Sequence, residues 1–119
     1  MSGAVSYYSG LAAEEQVAAH YMRSGCRIAA QRWRGKYGGE IDLIARDGER
    51  VVFIEVKRAR THAQAAERLS QRQMLRILRS AEEFLANEGC DEKTDVGYDL
   101  ALVDGGGQIE VLENALYLN

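Results

Sequence analysis

Two short runs of the chain, 40–46 (EIDLIAR) and 50–57 (RVVFIEVK), each place charged residues at one end of an apolar segment. Side chains alternate along a strand, so Glu40 and Asp42 share a face with Ile44, and Glu55 and Lys57 share one with Val51 and Phe53. Asp47-Gly48 between the runs is a hairpin signal. With Gly48 and Glu49 as a two-residue loop, the register sets Asp42 beside Glu55 and Glu40 beside Lys57, so all four converge. A loop one residue longer or shorter would turn the second set to the opposite face. Carboxylates opposed at about 5 Å repel and raise one another's pKa unless a cation neutralises them. Mg²⁺, with Mn²⁺ as substitute, suits this donor set. One Asp, one Glu and a backbone carbonyl can hold it and leave positions for a phosphate and a water. Such an ion is a Lewis acid and a source of hydroxide. Lys57 can orient or deprotonate that water, or face the charge that develops on phosphorus. The chemistry implied is phosphodiester hydrolysis. The same residues also fit a surface hairpin with a Glu40–Lys57 ion pair worth about 0.2–1 kcal/mol. Ile41, Leu43, Ile54 and Val56, assigned to the other face, together with Phe53 beside the acids, argue for strands covered on both sides, where unpaired acids are costly.

The elements that must position these residues are legible in outline. Residues 10–24 read as a helix with Leu11, Val17, Ala18, Tyr21 and Met22 near helical spacing, capped by Ser9 and stopped at Gly25. Residues 26–33 read as a strand, followed by a loop marked by Gly35, Gly38 and Gly39. From 63 to 88 one long amphipathic helix is predicted, with Leu69, Leu75, Ile77, Leu78, Ala81, Phe84 and Leu85 inward, the arginines outward and Gly89 as its end. Strands at 96–103 and 108–112 flank a turn at 104–107. The fold class is α/β: a central mixed five-stranded sheet flanked by helices, in a single domain with its core at about residues 10–115.

The 119 residues, 46% hydrophobic and 28% charged, suffice for one hydrophobic core without disulfides or a structural metal. Cys26 and Cys90 stand alone, which excludes zinc-finger and thioredoxin spacings and fits a reducing cytoplasm. No run approaches the roughly 20 apolar residues of a membrane span, and the first residues lack a secretion signal, so no membrane insertion is expected. The net charge of −3 hides a segregation: residues 1–81 carry 14 Lys/Arg against 8 Asp/Glu, residues 82–119 carry 1 against 10. The basic residues cluster at Arg32, Arg34 and Lys36, at Lys57, Arg58 and Arg60, and at Arg68, Arg72, Arg76 and Arg79. Trp33 and Tyr37 lie among the first cluster, where aromatic rings can stack on bases; Trp33 is expected in the core instead. His20 and His62 are too far apart to suggest a chelate and are expected on a helix and in a loop.

Gly39-Glu40-Ile41-Asp42-Leu43-Ile44, a short turn and Phe53-Ile54-Glu55-Val56-Lys57 resemble the signature of the PD-(D/E)xK nuclease superfamily. More closely, the chain resembles the YraN-like family of uncharacterised bacterial proteins, which are predicted endonucleases related to archaeal-type Holliday junction resolvases. The resemblance runs from about Gly10 to Ala115 and includes Glu15-x-x-Ala18-x-x-Tyr21-Met22 and Tyr98-Asp99. It implies a restriction-endonuclease-like core, with Asp42 and Glu55 as metal ligands and Lys57 as the catalytic lysine. By the same resemblance Glu40 binds metal through water, orients Lys57 or supports the ligands, and Glu15 supplies a further metal contact. There are departures. Gln73 stands where many relatives carry lysine, Gly97-Tyr98 where an Arg-Phe pair is common, and Arg32 where asparagine is usual. Gln73 can still hydrogen-bond a phosphate or water, and Arg72 or Arg76 on the same helix can supply the missing charge.

These readings make a Mg²⁺-dependent endonuclease acting on structured or branched DNA the leading expectation, with Arg34, Lys36, Arg58, Arg60, Arg72, Gln73 and Arg76 as nucleic-acid contacts. The alternative is a nucleic-acid-binding module of the same fold without independent hydrolysis. A third class is a protein-interaction domain using the acidic region from Glu82 to Asp99. Cutting a symmetric junction needs two active sites on two strands, which implies a homodimer.

Overall fold

The computed structural model describes residues 3–115, with side chains from residue 9 onward. The elements run α1 (Gly3–Arg23), β1 (Arg27–Arg34), β2 (Glu40–Asp47), β3 (Arg50–Arg58), α2 (His62–Glu67), α3 (Gln71–Asn87), β4 (Val96–Val103) and β5 (Ile109–Leu112). The five strands form one mixed sheet in the order β1-β2-β3-β4-β5, antiparallel except for the parallel pair β3/β4. This is the α/β architecture expected, and it is compatible with a restriction-endonuclease-like core. Among the described residues no helix is long and apolar enough to cross a membrane.

Helix α1 begins at Gly3 rather than behind a Ser9 cap. Its end follows the sequence: Gly25 takes a φ of +96°, and the Cys26 N–H returns to the Tyr21 carbonyl at 3.0 Å. The long helix predicted over 63–88 is two helices. Ser70 adopts extended backbone and its hydroxyl accepts from the Gln73 N–H at 3.1 Å, as Thr61 does for α2 from the Gln64 N–H. Each hydroxyl satisfies an N–H that a new first turn leaves without a partner, an alternative to continuing the helix that apolar spacing does not display.

Strand β3 lies between two layers. Helix α3 covers one face with Ile77, Ala81 and Phe84 over Ile44 and Phe53, and α1 covers the other with Val17, Ala18 and Tyr21 over Leu43, Val52 and Ile54. Trp33 packs edge-on against Phe84 at 5.4 Å, as a core residue, while Tyr37 is 71% exposed.

The predicted β2/β3 register is the one observed: Asp47 faces Arg50 across the Gly48-Glu49 loop, and the ladder runs to Leu43 opposite Ile54. There it ends, and the strict alternation fails. Ile41 packs with the α3 layer and Leu43 with the α1 layer, instead of sharing a face. On the neighbouring strand Arg32, between Gln31 opposite Leu43 and Trp33 opposite Ile41, takes a φ of +51°. A left-handed conformation in an arginine costs on the order of 1–3 kcal/mol. Asparagine, which the resemblance would place there, tolerates it better. Asp42 therefore sits at a local kink where β2 leaves β3.

Candidate active site

The parting of β2 from β3 exposes a backbone donor, and Asp42 takes it: its Oδ2 accepts the Val56 N–H at 2.8 Å. Half-buried Asp42 is thereby fixed beside Glu55, which is 2% exposed. Glu55 Oε2 accepts from Gln73 Nε2 at 2.6 Å and lies 3.3 Å from Lys57 Nζ. Its Oε1 is buried with no hydrogen-bond partner. Burial pushes the Glu55 carboxyl up to about 9. The neighbouring Asp42 carboxylate adds to this, while Lys57 opposes it. A pocket of about 270 Å³ opens onto the pair, lined also by Glu40, Arg34, Gln73 and Arg76.

The sequence-derived residues do not all arrive where the hairpin geometry sets them. Asp42 and Glu55 meet, and Lys57 joins Glu55. Glu40 is not beside Lys57: with the ladder ended at Leu43, it turns to Arg34, whose Nη2 lies 3.2 Å from its carboxylate while Nη1 donates to the Gly38 carbonyl at 2.8 Å. Glu15 is exposed. Glu14 turns inward in its place. Arg32 grips it with both arms, Nε to Oε1 at 3.2 Å and Nη2 to Oε2 at 3.1 Å. Burial raises the Glu14 pKa, the Arg32 bond opposes that, and the charges of Asp42 and Glu40 raise it further. The spacing held the signal: Glu14 lies one helical turn after Leu11 and before Ala18 and two turns before Tyr21, on the inward stripe.

Of the basic candidates, Arg34 and Arg76 line the carboxylate pocket with Gln73. Arg58 and Arg60 line a different one with Lys57. Arg72 and Arg76 face a cleft along α3 with exposed Leu75. Lys36 is exposed in the β1–β2 loop, whose backbone is pinned by Glu83 accepting the Lys36 N–H at 2.9 and 3.1 Å. His20 lies on α1, and His62 starts α2 instead of lying in a loop, with Nδ1 at 3.2 Å from Glu110.

Asp42 and Glu55 together suit a hard cation. They are two oxygen donors forced close, one with an oxygen that no protein donor satisfies. Among the described residues no group of three or more His, Cys, Asp or Glu side chains is arranged to hold a metal ion. Remaining ligands would then come from backbone carbonyl, water or substrate oxygen.

The model of uncharacterised protein family UPF0102 matches residues 13–103, which include Glu14, Asp42, Glu55, Lys57, Gln73 and Asp99. A UPF0102 protein of Cereibacter sphaeroides is 58% identical over 115 residues, covering 97% of both chains. Another, of Ruegeria pomeroyi, is 50% identical over 95% of this chain and 91% of its own. A third, of Dinoroseobacter shibae, is 43% identical over 94% and 83%. A family match from the first helix through the fourth strand, with relatives alike over nearly their whole length, leads to one conclusion: this chain belongs to the UPF0102 family, the YraN-like family its motifs resemble.

Proposed function

We propose that this protein is a metal-dependent endonuclease that hydrolyses phosphodiester bonds in structured or branched DNA. The observation that carries the reading is the buried Glu55 Oε1, left without a donor beside a second carboxylate. In a purely structural site such an oxygen costs on the order of 1–3 kcal/mol or more. In a cation site it is a vacant ligand.

Asp42 and Glu55 would hold Mg²⁺ or Mn²⁺, which supplies a Lewis acid for the phosphate and lowers the pKa of water. The chain's own residues do the rest. Val56 N–H fixes Asp42, and Gln73 fixes Glu55 through Oε2, leaving Oε1 with no protein donor and so available to the ion these residues would hold. Lys57 Nζ, 18% exposed by side chain, is placed to orient the attacking water or to face the charge gathering on the phosphate. Water oxygen bonds to phosphorus as the bond to one ester oxygen breaks, leaving a phosphate monoester and a hydroxyl end. Arg34 and Arg76 at the pocket rim suit non-bridging phosphate oxygens. A homodimer would present two such sites to the two strands of a symmetric junction.

One observation favours the second reading, a binding module without independent hydrolysis: Glu14, the further acid whose pKa the charges of Asp42 and Glu40 raise, is held by Arg32 instead of completing a metal site. The test is cleavage of labelled single-stranded, duplex, flapped and four-way-junction DNA with Mg²⁺ or Mn²⁺, comparing the natural protein with Asp42→Ala and Lys57→Ala. Metal-dependent cutting lost in both variants supports the enzyme. Structure-selective binding without cutting, unchanged in both variants, supports the module.

A further inference from the structure

Lys57, whose Nζ lies 3.3 Å from Glu55 Oε2, does not line the carboxylate pocket but borders a second cavity of about 460 Å³, between Gly10 on α1, the end of β3, Arg68 after α2 and the β4–β5 turn at Gly105. It adjoins a third cavity, sharing Ser9, Arg58 and Gly105 with it, which continues over Gly106 and Gly107. The two form one groove that starts at the proposed catalytic lysine and leads away from it. Three cations line its first part: Arg58, Arg60 and Arg68. Among the described residues none of the three has a carboxylate within ion-pair distance, whereas Arg32, Arg34, Arg46, Arg50 and Lys57 each do. The opposite wall is built of Ser9, Gly10 and Gly105, and a Cβ on Gly10 meets no atom of the described residues within 4 Å.

From this, and resting on the nuclease reading above, we infer the substrate class: the groove holds an unpaired single strand leading from the scissile phosphodiester, so the preferred substrate is duplex DNA bearing a single-stranded arm. A charged channel with small residues on one side follows a sugar–phosphate backbone whatever its bases. This first part of the groove, about 460 Å³, is the size of a small-ligand cleft. Arginine forks suit successive phosphates. The exposed stripe of Arg72, Arg76 and Arg79 on α3 lies on the other side of the carboxylate pocket, which Arg76 also lines, and is left for the paired part.

The test is binding, measured by fluorescence anisotropy in EDTA so that hydrolysis plays no part. The probes are a blunt duplex and the same duplex carrying an unpaired arm of either polarity. The natural protein should bind one armed duplex at least about tenfold more tightly than the blunt one. Gly10→Leu fills the groove from an open position, and replacing a helical glycine favours folding, so its melting temperature should not fall. Its preference for the armed probe should vanish. Arg58→Ala/Arg60→Ala should reduce the salt dependence of armed-duplex binding by a log–log slope of about 1.4, two single-strand phosphate contacts. Equal binding of blunt and armed probes by the natural protein, or a preference that survives in Gly10→Leu, overturns the inference. A preference that is lost in Gly10→Leu alongside an absence of cutting in any metal leaves the groove standing and removes the nuclease reading. No binding to any probe removes both.

Discussion

Two carboxylates are buried to the same degree on adjacent parallel strands, Glu55 on β3 at 2% exposure and Asp99 on β4 at 3%, and the fold treats them in opposite ways. Asp99 has a donor on each oxygen: the Tyr21 hydroxyl on Oδ2 at 2.8 Å and the Asn114 N–H on Oδ1 at 3.1 Å. Asn114 in turn accepts the Tyr98 N–H at 3.2 Å, so the acid ties α1 and the segment after β5 to β4. Burial and the Asp99 carboxylate push the Tyr21 hydroxyl pKa up, keeping it a donor at any physiological pH. Glu55 has donors on one oxygen, none on the other, and a second carboxylate beside it. Burial alone therefore says little about role. A buried acid whose two oxygens each meet a protein donor is a fastener, and one with an oxygen left without a donor is open to a ligand.

The acidic half of the chain follows the Asp99 pattern. Glu83 pins the β1–β2 loop, Glu88 faces Arg46, Asp95 faces Arg50 and Asp104 holds its own turn. The exposed arginines of α3 and of the groove beside Lys57 instead have no carboxylate within ion-pair distance among the described residues.

The largest effect that could break this contrast is on turnover. Glu55→Gln should lower metal-dependent cleavage by roughly 10³-fold or more without lowering the melting temperature, because the amide keeps the shape of the protonated carboxyl but cannot ionise to bind a cation. Cleavage that survives the change would place Glu55 with the fasteners. The second effect is on stability against pH, in EDTA. Folded Glu55 keeps its proton to about 9 against an ordinary value of 4.5. The stability this gives is full below the lower value and is lost as pH rises towards the upper one. Urea unfolding should show stability falling between those limits, at a slope approaching ~1.4 kcal/mol per pH unit. In Glu55→Gln that slope should flatten. Third, Asp99→Asn must turn an N–H₂ towards the Tyr21 hydroxyl or the Asn114 N–H. It should cost about 1–3 kcal/mol in unfolding experiments, with cleavage per folded molecule intact. An unaltered melting curve with lost cleavage would reverse the two roles. The smallest effect belongs to Arg34→Ala. Its pair with Glu40 is open to solvent, 60% and 38% exposed by side chain, so stability should change by less than about 1 kcal/mol while DNA affinity falls.

The hairpin shows how far spacing reaches. Asp47-Gly48, with apolar alternation on both sides, dictated a two-residue loop and hence the register that sets Leu43 opposite Ile54 and brings Asp42 to Glu55. Two residues further on, the same reasoning failed for Glu40, because a ladder's end depends on competition between backbone partners. Here the Asp42 side chain captures a donor the sheet would have used. The split at Ser70 was legible only as a serine three residues before Gln73, one cap signal against a long run of helical spacing. Glu14 and Glu15 are neighbours, and the choice between them depended on which stripe α1 turns to the sheet.

The sequence by itself determined the chemistry available: which acids, which lysine, the strands and register that carry them, and a basic half joined to an acidic one. These follow from local periodicity and turn geometry, which neighbouring residues set among themselves. Only the tertiary structure decided which of those groups the fold satisfies. Donors for Asp99 come from residues 21 and 114, and the amide donor for Glu55 Oε2 comes from a separate helix whose start Ser70 caps. Hydrogen bonding in a low-dielectric interior is decided by contacts between distant segments, so the orphaned oxygen of Glu55 and the unpaired arginines beside Lys57 emerge only once the layers have packed.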